Sequence, residues 1–63
     1  MGKRLRDLRF KLNLLQKEMA DKLEVPYRTY RAWENGVRHP NSLAVITLEY
    51  RMAKLEERAN LPR

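Results

Sequence analysis

The sequence predicts an all-α domain: a compact bundle of four helices, or five if the last segment divides. Three observations carry this. Apolar residues recur at three- and four-residue steps along nearly the whole chain. Runs of alternating β-branched residues are nearly absent, and there are only two glycines. Residues that stop or start helices fall between the periodic segments, at Asn13, Pro26, Asn35-Gly36 and Asn41-Ser42.

Leu5, Leu8, Leu12 and Leu15 set the first stripe, so a first helix is expected over about residues 3–12, stopped by Asn13 in a left-handed conformation. A short second helix is expected over residues 16–23, with Met19, Ala20 and Leu23 turned inward. Glu24-Val25-Pro26 then breaks the pattern. Proline cannot continue a helix but readily starts one, so a third helix opens at Pro26 or Tyr27 and ends at Asn35-Gly36. After a loop over residues 37–40, Asn41 or Ser42 can cap a long fourth helix running to about Arg58.

At 63 residues the chain is expected to be one domain, residues 1–63, near the lower size limit for folding alone. The absence of cysteine excludes disulfides and thiolate zinc sites. No apolar run approaches the roughly 18 residues of a membrane span, and the basic N-terminus leads into no signal-peptide core. A soluble, cytoplasmic protein is expected. Fourteen Lys and Arg against eight Asp and Glu give a net charge of +6. The excess is uneven: residues 1–39 hold ten basic and five acidic side chains, and residues 40–63 hold four and three. A basic half on a small domain suggests a polyanionic partner such as nucleic acid.

The third helix carries the chain's only tryptophan, two tyrosines and two arginines. At about 100° per residue, Tyr30 and Trp33 project to one side with Glu34 at its margin. Arg28, Arg31 and Ala32 project to the opposite side, with Tyr27 at the edge of that face. The aromatic face anchors the helix, and the arginine face is left for something outside. Two helices joined by a short turn, the second presenting a basic face, describe a helix-turn-helix over residues 16–35.

These segments resemble the phage repressor and Cro family of DNA-binding domains, the lambda repressor-like fold. The matching features are Leu5-Arg6-Asp7-Leu8-Arg9, Gln16-Lys17-Glu18-Met19-Ala20 and Trp33-Glu34-Asn35-Gly36, at the family's spacing over roughly residues 4–50. The chain departs from the pattern where Glu24 replaces a usual turn glycine, and where Leu15 and Pro26 replace small polar caps. It also offers one long C-terminal helix where the family commonly has two short ones.

The resemblance implies sequence-specific binding of double-stranded DNA, with the helix over residues 27–35 in the major groove. Bases would be read by Tyr27, Arg28 and Ala32, to which the helical wheel adds Arg31. Arginine offers two parallel donors that match guanine O6 and N7. Phosphate contacts are expected from Gln16 at the start of the second helix, from Lys17, and from Asn35, Arg38 and His39 after the third. The resemblance also implies a partly buried ion pair between Arg9 and Glu34. His39 has no second ligand nearby, no metal or cofactor is expected, and no constellation suits catalysis. Transcriptional repression by a bacterial or phage-encoded protein is the expected use. An antitoxin-like regulator whose main partner is another protein stays open as an alternative, and so does the question whether Asn60-Leu61-Pro62-Arg63 is a natural tail or a cut linker.

The fourth helix carries two apolar stripes. Leu43, Ile46, Tyr50 and Ala53 fall on one side, and Val45, Leu48, Met52, Leu55 and Ala59 nearly opposite. Thr47, Arg51, Lys54 and Arg58 run along one flank, and Glu49 and Glu56 along the other. A surface helix normally has one stripe. Two stripes imply two partners, so a homodimer on a near-palindromic operator is expected, with Val45, Leu48, Met52, Leu55 and Ala59 as its interface; the choice of face stays open, as does a fourth helix buried on both sides within the monomer.

Overall fold

The computed structural model describes residues 1–60 and contains four α-helices and no strand among them. They are α1 (Gly2–Lys11), α2 (Gln16–Leu23), α3 (Tyr27–Glu34) and α4 (Ser42–Ala59). The chain ending from Leu61 onward lies outside the described residues. This is the small all-α, lambda repressor-like fold.

Each boundary has a local cause. Asn13 takes a left-handed φ of 56°, which lets the chain leave α1 and bond Leu14 N–H back to the Arg9 carbonyl at 3.0 Å. The apolar stripe of α1 therefore continues into Leu14, which packs on the core, while Leu15 is exposed. Leucine at the N-cap of α2 has no side-chain oxygen to offer, so only half of a capping box forms: Glu18 Oε1 accepts from Leu15 N–H at 2.8 Å. Pro26 precedes α3, where its missing N–H costs nothing and its carbonyl accepts from Tyr30 N–H at 2.9 Å. Gly36, at φ 77°, turns the chain away after α3. Asn41 caps α4, its Oδ1 accepting from Ala44 N–H at 2.8 Å.

Leu5, Leu8, Met19, Ala20, Leu23, Tyr30, Leu48 and Met52 form the core, with Trp33 and Leu55 packed against it. Small residues set two close approaches. Ala20, only 1% exposed, lies where α2 meets its neighbours. A Cβ on Gly2 would stand 2.7 Å from the Trp33 carbonyl oxygen and 2.9 Å from that of Glu34, so α1 starts hard against the end of α3. There the positive end of one helix meets the negative end of the other.

The expected interface on α4 is overturned. Leu48 is 1% and Met52 6% exposed within the single chain, and Leu55 packs on the same core. Val45 is half-buried, and only Ala59 of that set is exposed. The physical reason is that α3 covers only part of the leucine and methionine faces of α1 and α2, and this stripe of α4 closes the rest. The Val45–Ala59 stripe belongs to the domain's own core, and the outward stripe is the one that begins at Leu43.

Candidate nucleic-acid interface

The α2–α3 unit turns on Glu24, which sits in the left-handed region at φ 59°, ψ 42°. Such a conformation costs a non-glycine residue about 1 kcal/mol. It is held by Val25 N–H donating to the Ala20 carbonyl at 3.0 Å and, from outside, by Arg51. Arg51 Nη1 donates to the Leu23 carbonyl at 2.7 Å, and its Nη2 stands 3.4 Å from Glu24 Oε2. A cation on the last carbonyls of α2 suits the negative end of that helix. No sequence signal assigned Arg51 this task, because 28 residues separate donor from acceptor.

The other end of α3 is fixed by Glu34, which is buried. Arg9 Nε donates to Glu34 Oε2 at 3.0 Å, and Arg9 Nη2 to Oε1 at 2.8 Å. Arg9 also donates through Nη1 to the Leu14 carbonyl at 3.1 Å. Two further donors converge there: Arg6 Nη2 on the Glu34 carbonyl at 3.1 Å and Gln16 Nε2 on Glu34 Oε1 at 3.1 Å. Burial alone would raise the Glu34 carboxyl, but hydrogen bonds from Arg9, Tyr30 and Gln16 outweigh it and hold the group at about 2, against an ordinary 4.5. Burial, and then the Glu34 carboxylate, push the Tyr30 phenol well above its usual range. Its hydroxyl lies 3.5 Å from the Leu5 carbonyl, long for an O–H···O bond. Hydrogen bonding to Glu34 raises the Arg9 guanidinium against a smaller opposing effect of burial.

With both ends held, α3 turns Tyr30 and Glu34 inward and leaves Tyr27, Arg28 and Arg31 exposed and Ala32 half-buried. Arg31 lies over the Tyr27 ring, 5.5 Å from its centroid. Arg28 and Ala32 line a hollow with Arg38, His39, Asn41 and Ala44, so the outer side of α3 and the loop over residues 37–41 share one concave surface. Lys17 and Asn35 are exposed. Gln16 is partly different from expectation: its amide nitrogen is turned inward onto Glu34, a structural task that the sequence reading missed.

The basic residues divide by their partners. Arg4, Arg6, Arg9, Lys11 and Arg51 each lie within 4.0 Å of a glutamate. Lys17, Arg28, Arg31 and Arg38 have no such partner among the described residues, nor do Lys3, Lys22, Lys54 and Arg58. None of the cations on α3 or in the following loop is tied to a carboxylate. No group of three potential metal ligands occurs among the described residues, and none of their helices is long and apolar enough to cross a membrane.

A helix-turn-helix held at both ends, with unpaired cations along its outer face, defines a class of DNA-binding domain. A protein-family model described as helix-turn-helix matches residues 3–49. The chain belongs to this family, the phage repressor and Cro type of helix-turn-helix. It is a family of DNA-binding regulators, which makes DNA a partner of this chain. No curated protein and no solved structure matches it.

Proposed function

We propose that this protein is a sequence-specific transcriptional repressor that binds double-stranded DNA and catalyses no reaction. The helix over residues 27–35 enters the major groove, with Tyr27, Arg28, Arg31 and Ala32 against base edges. Gln16, Lys17, Asn35, Arg38 and His39 contact phosphates, Gln16 with what its bond to Glu34 leaves free. Two copies related by a two-fold axis place their α3 helices on half-sites about 34 Å apart, so the operator is near-palindromic.

The observation that carries this reading is that every cation of α3 and the loop after it, Arg28, Arg31 and Arg38, is exposed and has no ion-pair partner, with Arg28 and Arg38 lining one hollow. Exposed charges that the fold does not use are the ones available to phosphate and guanine.

Fluorescence anisotropy on specific and random duplexes over a salt series tests the assignment. Affinity should fall steeply with salt through counterion release. Arg28→Ala should cost about 1–3 kcal/mol on the specific duplex and relax preference at one or two base pairs. Lys17→Ala should weaken all sequences alike. Equal losses on both duplexes for Arg28→Ala would remove that residue from the base-reading set.

A further inference from the structure

With the Val45–Ala59 stripe committed to the core, α4 turns its second apolar stripe to solvent. Leu43 is 77%, Ile46 66% and Tyr50 65% exposed, and Ala53 is exposed beside them. Their spacing of three, four and three residues is that of successive a and d positions in a heptad repeat: Leu43 and Tyr50 at a, Ile46 and Ala53 at d. In that register Glu49 falls at g and Lys54 at e, on opposite flanks of the stripe. Glu57 takes the next a position and ends the seam.

We propose that this stripe is the homodimer seam, and that two α4 helices pair there in parallel. The inference rests on the two-fold dimer of the functional reading and adds its surface and orientation. Charge decides the orientation. In a parallel pair the g flank of one helix meets the e flank of the other five residues on, which sets Glu49 of each copy opposite Lys54 of the second copy, twice per dimer. In an antiparallel pair like flanks meet, and the two Glu49 side chains face each other close to the axis, a repulsive arrangement.

Both residues are available. Glu49 bonds only Arg4, at 3.2 Å, in a half-exposed pair of the kind that contributes little. Lys54 has no carboxylate partner among the described residues, and its Nζ lies 5.6 Å from the Tyr50 ring centroid, at the edge of the seam.

The parallel arrangement also fixes where the two DNA-facing surfaces lie. The start of α4, at Asn41 and Ala44, shares a hollow with Arg28 and Ala32 of α3. Parallel pairing brings both such surfaces to one end of the dimer. Four seam positions are fewer than a free-standing coiled coil needs, so the association is weak without DNA.

The chain contains no cysteine, which allows a direct test. Leu43→Cys and Ala53→Cys each alter an exposed side chain, and circular dichroism confirms that each variant is folded. Both are oxidised at high micromolar concentration without DNA. Parallel pairing predicts that each variant cross-links to itself. Cross-linking only in a mixture of the two shows an antiparallel pair and overturns the proposed orientation. No cross-link in any sample, with wild type sedimenting as a monomer, overturns the seam.

Charge reversal supplies a second arm. Glu49→Lys should weaken self-association roughly tenfold at low salt, and adding Lys54→Glu should restore it. An unchanged association, or no restoration, contradicts the Glu49–Lys54 pairing. Duplex binding by wild type is measured separately. Specific binding without the seam counts against the seam alone, and a seam without duplex binding counts against the functional reading alone.

Discussion

Arg9 and Glu34 join the first and third helices through two hydrogen bonds, Nε to Oε2 at 3.0 Å and Nη2 to Oε1 at 2.8 Å. Gln16 from α2 donates to the same carboxylate at 3.1 Å, so one buried anion ties three helices together. A buried pair of this kind is weak evidence of net stability. Its removal by halves is costly all the same, because the remaining charge keeps its desolvation penalty.

Arg9→Ala and Glu34→Ala should each destabilise the domain by about 3–5 kcal/mol. The double variant should cost less than the sum of the two, since it leaves no orphaned charge. Urea denaturation of all four proteins reads this directly. Additive losses would show that the two groups do not act as a pair.

The low pKa of Glu34 gives a pH window. Its folded value of about 2 lies below the ordinary 4.5, so its contribution is complete above pH 4.5 and is lost as pH falls from there through 2. The size is on the order of 3 kcal/mol at neutral pH. Thermal melts between pH 6 and pH 2 should show a falling Tm that flattens in Glu34→Gln. An equally steep fall in that variant would place the acid sensitivity elsewhere.

Glu24 and Arg51 make a testable set at the turn. Glu24→Gly should remove left-handed strain and stabilise by up to about 1 kcal/mol, since the exposed end of its pair with Arg51 contributes little. Arg51→Ala should destabilise by about 1.5–3 kcal/mol, because it strips a charge-assisted bond from the Leu23 carbonyl. Chemical denaturation resolves both signs. A neutral Arg51→Ala would show that the turn holds itself.

The sequence made the elements legible wherever the signal was local. The bounds of α2, the Asn41 cap and the left-handed Asn13 each follow from residues within one helical turn. The choice between the two stripes of α4 was not local. The Leu43 and Leu48 sides are similarly apolar, and only the placement of α1 and α2 decides which is covered. Arg6, Gln16 and Arg51 escaped notice for a related reason. Each reaches a group 18 to 28 residues away, on another helix, and a polar side chain carries no periodic mark of such a partner.

Selection from a pool of random duplex DNA tests the central claim most directly. A dimer that reads bases through Arg28 and its neighbours on α3 should return a near-palindromic motif, with half-sites about one helical turn apart. The same selection with Arg28→Ala should lose preference at one or two positions in each half-site while keeping the spacing. A pool that returns no motif, from a folded protein at low salt, would contradict sequence-specific binding.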